Sequence, residues 1–247
     1  MNRLLVAIAV GGAAAGSFVA SVGMPQWPPS QKWHGVFWML VLLVVLGLLE
    51  AVLGRREWAG RIVLSTAAGV ASVWLLPLPD QAAVTVGVLV GASALLVGAV
   101  DGVRGGVAMP IGGWAAAVSI SALTLVASSM TLSLMAGAVA AMCGVIVVLG
   151  WLAGARVLGG VCGGGMVLGG AIAVIAVTAW AYDYDVVPGW AWVVSGGGFA
   201  AVCILEIGPL GRWRSTAATV LRSIVLLAPP IFVVANQWEL VKGAFNA

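Results

Sequence analysis

Charge is what this sequence lacks most. Of 247 residues, 11 are Lys or Arg and 8 are Asp or Glu, whereas soluble domains carry about a quarter charged residues. So few charges cannot cover a water-soluble globule. The 62% share of hydrophobic residues equally excludes a disordered chain, which needs low hydrophobicity. Histidine occurs once, as His34, so neither an HExxH zinc site nor a histidine pair for acid/base work can be built. The three cysteines, Cys143, Cys162 and Cys203, sit inside apolar runs without a CxxC spacing. That excludes a disulfide framework and a thiolate metal cluster.

Enzyme signatures are also missing. Gly91-Ala92-Ser93-Ala94 runs on to Leu95 and so fails as a nucleophile elbow. No lysine follows a glycine-rich run, which excludes a Walker loop, and Gly163-Gly164-Gly165 has no strand before it. Tyr182-Asp183 is half of an intramembrane aspartyl protease pair, but the GxGD half is absent. The chain is therefore expected to be no enzyme and to hold no cofactor or metal. The net charge of +3 is scattered over short connections, so no nucleic acid is expected as a partner.

What is present is apolar length. Mean hydropathy is +1.15, and a transmembrane helix needs about 20 apolar residues. Nine such runs are read, at roughly 4–23, 35–53, 60–77, 82–100, 109–128, 131–152, 157–180, 188–207 and 216–235. Barrel strands would alternate apolar and polar residues over about 10 positions. These runs are continuous and about twice that length, so helices are expected. The fold class is all-α: a single polytopic bundle over 1–247. The first run, with Arg3 ahead of it and Phe18-Val19-Ala20 at its end, has features of a cleavable signal. It is longer than the usual core of about 7–15 residues, which favours a retained helix; cleavage would leave eight.

Charge and tryptophan fix the threading. Arg3, Arg55, Arg56, Arg61, Arg104, Arg156, Arg212, Arg214 and Arg222 fall toward one face, and only Lys32 and Lys242 toward the other. By the positive-inside rule the N-terminus is cytoplasmic, and an odd number of spans puts the C-terminus outside. The twelve tryptophans fall at or near the expected span ends, as interfacial rings prefer. A lysine-poor, Ala/Gly/Val/Arg-rich chain suggests the cytoplasmic (inner) membrane of a bacterium.

Few polar groups lie within the runs. Arg222 sits about 9 Å inside the last span at 1.5 Å per residue, where Glu206 on the preceding helix is a candidate partner. Glu50 and Arg61 form a second candidate pair across a short hairpin. Ser119, Ser121, Thr124, Ser128 and Ser133, with Ser129 and Thr131, cluster across the fifth-to-sixth hairpin. They either bond back to helix carbonyls or line a small polar vestibule. Small-xxx-small pairs such as Gly12/Gly16, Gly87/Gly91 and Gly165/Gly169 suit close helix packing. Gly163-Gly164-Gly165 and Pro229-Pro230 are either packing features or helix breaks of the transporter kind. The acids at Glu50, Asp101 and Glu206 lie 51 and 105 residues apart. A hairpin repeat would give that spacing, and so would two helices with two loops.

Leu48-Leu49-Glu50, Glu57-Trp58, Pro77 with Asp80, Tyr182-Asp183-Tyr184 and Leu205-Glu206 with Gly208-Pro209-Leu210 resemble multi-pass bacterial membrane proteins of unknown function. The resemblance implies a membrane location and no activity. The expected role is a non-catalytic membrane component or subunit of a complex. Its partners are the lipid bilayer and other membrane subunits or further copies of itself. The alternative is a transporter or channel for a small neutral or lipid-like molecule.

Overall fold

The structure is a computed structural model. It describes residues 3–29, 33–53, 58–76, 82–104, 108–153, 164–183, 186–207 and 216–246. For 3, 4, 101–104, 108, 153, 201, 202, 204–207, 216, 218, 219, 222 and 244–246 it gives helix membership alone. Among the described residues the chain is all-helical. The helices are α1 Arg3–Val22, α2 His34–Leu53, α3 Trp58–Leu75, α4 Ala83–Arg104, α5 Ala108–Val126, α6 Met130–Ala153, α7 Gly164–Tyr182, α8 Gly189–Ile207, α9 Thr216–Asn236 and α10 Trp238–Asn246. Seven of them, α1 to α7, contain stretches long and apolar enough to cross a membrane.

The bundle is organised around α7. It packs against α1, α2, α4, α5, α6 and α8. Those helices, with α3, close a ring in the order α1, α2, α3, α4, α8, α5, α6 and back to α1; α9 lies outside, against α5 and α8. Every residue from Gly164 to Ala179 is buried. Composition explains the position. Gly164–Tyr182 carries no charge, so no face must reach water. Its glycines and alanines also let neighbours come close. A Cβ at Gly169 would stand 2.5 Å from the Ser93 carbonyl oxygen on α4, and one at Gly170 2.7 Å from Leu43 Cδ2 on α2. The α3–α4 crossing is built the same way, from Gly69 against Gly87 and Gly91.

Among the described residues many large apolar side chains face outward. Val52, Trp74, Val84, Trp151 and Leu152 are each at least three-quarters exposed, an exterior that suits lipid and not water. The seven apolar helices and this surface are compatible with a multi-pass membrane protein.

Of two interruptions considered from the sequence, the proline pair takes a definite form. α9 runs through Pro229 and Pro230 without ending. Each proline withholds an amide, from the carbonyls of Val225 and Leu226, and Gly198 on α8 leaves room for the Pro229 ring, 2.8 Å from where a Cβ would stand. Gly164 and Gly165 belong to the first described turn of α7; Gly163 and the residues before it, back to 154, lie outside the described residues. The short helix α10 was not expected. It packs against α5 and α9 and buries Val241 while Trp238 and Leu240 stay exposed.

Candidate functional site

The end of the bundle that carries the α2–α3 hairpin holds a buried ion pair. Glu50 is one turn from the end of α2, and Arg61 is in the first turn of α3. Arg61 Nε lies 2.9 Å from Glu50 Oε1, with the two side chains only 6% and 5% exposed. The backbone of α4 reaches the carboxylate because residue 98 is glycine: a Cβ there would stand 3.3 Å from Oε1. The Arg61 guanidinium also lies 5.9 Å from the Trp58 ring centroid, within cation–π range. The contact is an ion pair; Arg61 Nε itself has no hydrogen-bond partner among the described residues. Glu50 Oε2 and Ser65 Oγ also have no hydrogen-bond partner among the described residues. Glu206 and Arg222, the other candidate pair, have side chains outside the described residues.

The opposite end gathers the hydroxyls. Ser121 Oγ and Ser133 Oγ lie 3.0 Å apart across the α5–α6 hairpin, and Ser121 Oγ also donates to the Ser133 carbonyl at 3.0 Å. Thr124 Oγ1 donates to the Ile120 carbonyl at 2.9 Å. Ser119 Oγ meets Ser195 Oγ on α8 at 3.0 Å, both buried. Ser128 sits at the tip of the hairpin with φ 59°, a left-handed conformation that small polar residues tolerate. Its amide donates to Leu125 O at 2.9 Å, and that of Ser129 to Thr124 O at 2.8 Å. Ser119, Ser121 and Ser133 therefore close helix against helix, while Thr124 bonds back within α5. What opens beside them is a cleft of about 280 Å³ lined by Ser129, Thr131 and Leu132 of the hairpin, Phe18 of α1, Trp33 and Val36 at the start of α2, and Thr178 and Tyr182 of α7. Phe18 and Trp33 stack at its wall with ring centroids 5.1 Å apart.

Asp183, just past α7, is a structural residue the sequence did not reveal. Its Oδ1 accepts the Val186 amide at 3.1 Å. Its Oδ2 accepts the Val187 amide at 3.0 Å and the Trp192 indole N–H at 2.9 Å. The carboxylate thus ties the α7–α8 connection to the buried Trp192. A hydrogen bond to a charged group contributes about 1.5–3 kcal/mol; because one of the three is solvent-exposed and the others only part-buried, Asp183→Ala should lower stability by roughly 2–4 kcal/mol, less than their full sum. Thermal unfolding in detergent measures this. A melting temperature equal to that of the unmodified protein would refute the tie.

Comparison of the chain with protein-family models, with curated proteins and with solved structures finds no match in any of the three.

Proposed function

We propose that this chain is a nine-span protein of a bacterial cytoplasmic membrane, N-terminus inside and C-terminus outside, acting as a non-catalytic component that assembles with itself or with other membrane subunits. One observation carries the reading: the centre of the bundle is filled by α7, buried from Gly164 to Ala179. Ser119 and Ser121 are spent on Ser195 of α8 and Ser133 of α6, and Thr124 and Thr178 are spent within their own helices. A filled centre favours a scaffold over a conduit. The apolar exterior supplies wide faces for partners, among them the α3–α4 groove of about 430 Å³ floored by Gly69, Gly87 and Gly91. The orientation rests on nine arginines against two lysines. Passage of a small neutral or lipid-like molecule is the second reading, favoured by the cleft at the hairpin end.

Two experiments test this. With native cysteines replaced, Lys32→Cys should react with a membrane-impermeant maleimide on intact cells, and Arg104→Cys should react only after lysis. The reverse pattern overturns the orientation. Affinity purification in mild detergent should return a stoichiometric membrane subunit or a homo-oligomer. A monomer that moves a neutral solute into liposomes would replace the assembly reading with transport.

A further inference from the structure

We infer that the cleft between the ends of α1, α2, α6 and α7 binds a neutral, polyhydroxylated ring, a sugar or cyclitol, either free or as the head group of a glycolipid. The inference does not depend on what the bundle assembles with. It starts from what lines the cleft. Among the described residues the lining offers hydroxyls from Ser129 and Thr131, an aromatic wall at Trp33, and no charged side chain.

Each property narrows the ligand. An ion entering a site without a counter-charge loses hydration and gains no partner. The helix dipoles do not replace that partner, because two C-terminal ends (α1, α7) and two N-terminal ends (α2, α6) meet here and oppose one another. A purely apolar ligand would cover the hydroxyls without bonding them, which is also costly. A ring with C–H bonds on its faces and hydroxyls at its rim satisfies both surfaces. Thr178 Oγ1 is spent on Val174 O at 2.7 Å and is buried, so Ser129 and Thr131 supply the contacts to such a rim.

Size and stiffness agree. Drug-sized ligands occupy about 300–1,000 Å³; a cleft of about 280 Å³ suits one ring. Phe18, Val36 and Leu132, all buried, form its floor. The hairpin wall is held by the Ser129 amide on Thr124 O and the Ser133 amide on Ser129 O at 3.0 Å. The α2 wall is held by Phe18 stacked on Trp33 and on Phe37, the latter with ring centroids 5.6 Å apart. A preformed wall spares a ligand part of the ordering cost.

The test uses the full chain in phospholipid nanodiscs. Methyl β-D-glucopyranoside and myo-inositol are followed by saturation-transfer NMR, a monoglucosyl diacylglycerol by native mass spectrometry, and choline serves as a cationic control. Saturable binding of a ring is expected, weakened about tenfold by Trp33→Leu through loss of the aromatic wall. Thr131→Val, which keeps the side-chain shape, should weaken it several-fold, and Thr66→Val on α3 should leave it unchanged. Variants are compared only where thermal melting matches the unmodified protein. Retention of the glucolipid alone identifies a head group as the source, and binding of the soluble rings identifies a free solute. Choline binding in preference to the rings overturns the proposal. So does an absence of ring binding by both routes, or binding indifferent to both Trp33→Leu and Thr131→Val.

Discussion

Arg61→Leu is expected to cost about 3–5 kcal/mol of stability, the penalty for leaving the carboxylate of a buried ion pair uncompensated. Exposed pairs contribute only about 0–1 kcal/mol, so exposure decides which regime applies. Side chains 6% and 5% exposed place Glu50 and Arg61 in the buried regime. Glu50→Leu should cost a similar amount by stranding the guanidinium. The double variant Glu50→Leu/Arg61→Leu should recover most of the loss, because two apolar side chains replace a pair whose desolvation roughly offsets its attraction. Glu50 Oε2 and Ser65 Oγ, without hydrogen bonds among the described residues, strengthen that expectation, since an incompletely satisfied pair gives up little when removed. Arg61→Lys should behave more like the leucine variant than a conservative change would, because a point charge cannot reproduce the planar guanidinium near Trp58. A double-mutant cycle read by thermal unfolding decides the matter. Additive single losses would mean that the two groups do not act as a pair.

That pair was legible because Glu50 and Arg61 are 11 residues apart across one hairpin, where antiparallel packing brings helix ends together. The helices themselves were legible because continuous apolar runs in a low-charge chain leave few alternatives. The seventh, read from 157, is described only from Gly164, because 154–163 lie outside the described residues. Contacts distant in sequence were not legible. Ser119 meets Ser195, 76 residues away, and Asp183 holds Trp192; nothing in one-dimensional spacing marks either. The hydroxyl cluster was legible as a cluster, yet its split into bonded Ser121 and Ser133 and cleft-lining Ser129 and Thr131 depends on which helix faces which neighbour. The central helix was hidden for a related reason. α2 is more apolar than α7, yet 44% of its residues are buried against 89%. In lipid, hydropathy reports contact with hydrocarbon of either kind, and small side chains, not apolar ones, mark where helices meet.

The same limit gives the sharpest contrast among single substitutions. Gly12 and Gly169 both belong to small-xxx-small pairs and look equivalent in sequence. A Cβ at Gly12 would meet nothing within 4 Å, whereas at Gly169 it would stand 2.5 Å from the Ser93 carbonyl oxygen and 2.8 Å from Val97 Cβ. The Ser93 carbonyl is backbone and cannot swing aside, so α4 and α7 must separate along the crossing that joins the central helix to its ring. Gly169→Ala should therefore lower stability by about 3 kcal/mol, the upper part of the usual overpacking range. Gly12→Ala should leave it unchanged or raise it by about 0.5–1 kcal/mol, the helix-propensity gain of alanine over glycine. Melting curves of the two variants in one detergent compare them directly, and equal stability would rule out the close approach of α4 to α7. The Gly12 variant also bears on assembly. If it melts normally yet no longer retains a subunit that the unmodified protein retains, the open face of α1 is where that subunit sits. If retention is unchanged, the contact lies on another face, and the α3–α4 groove becomes the next surface to alter.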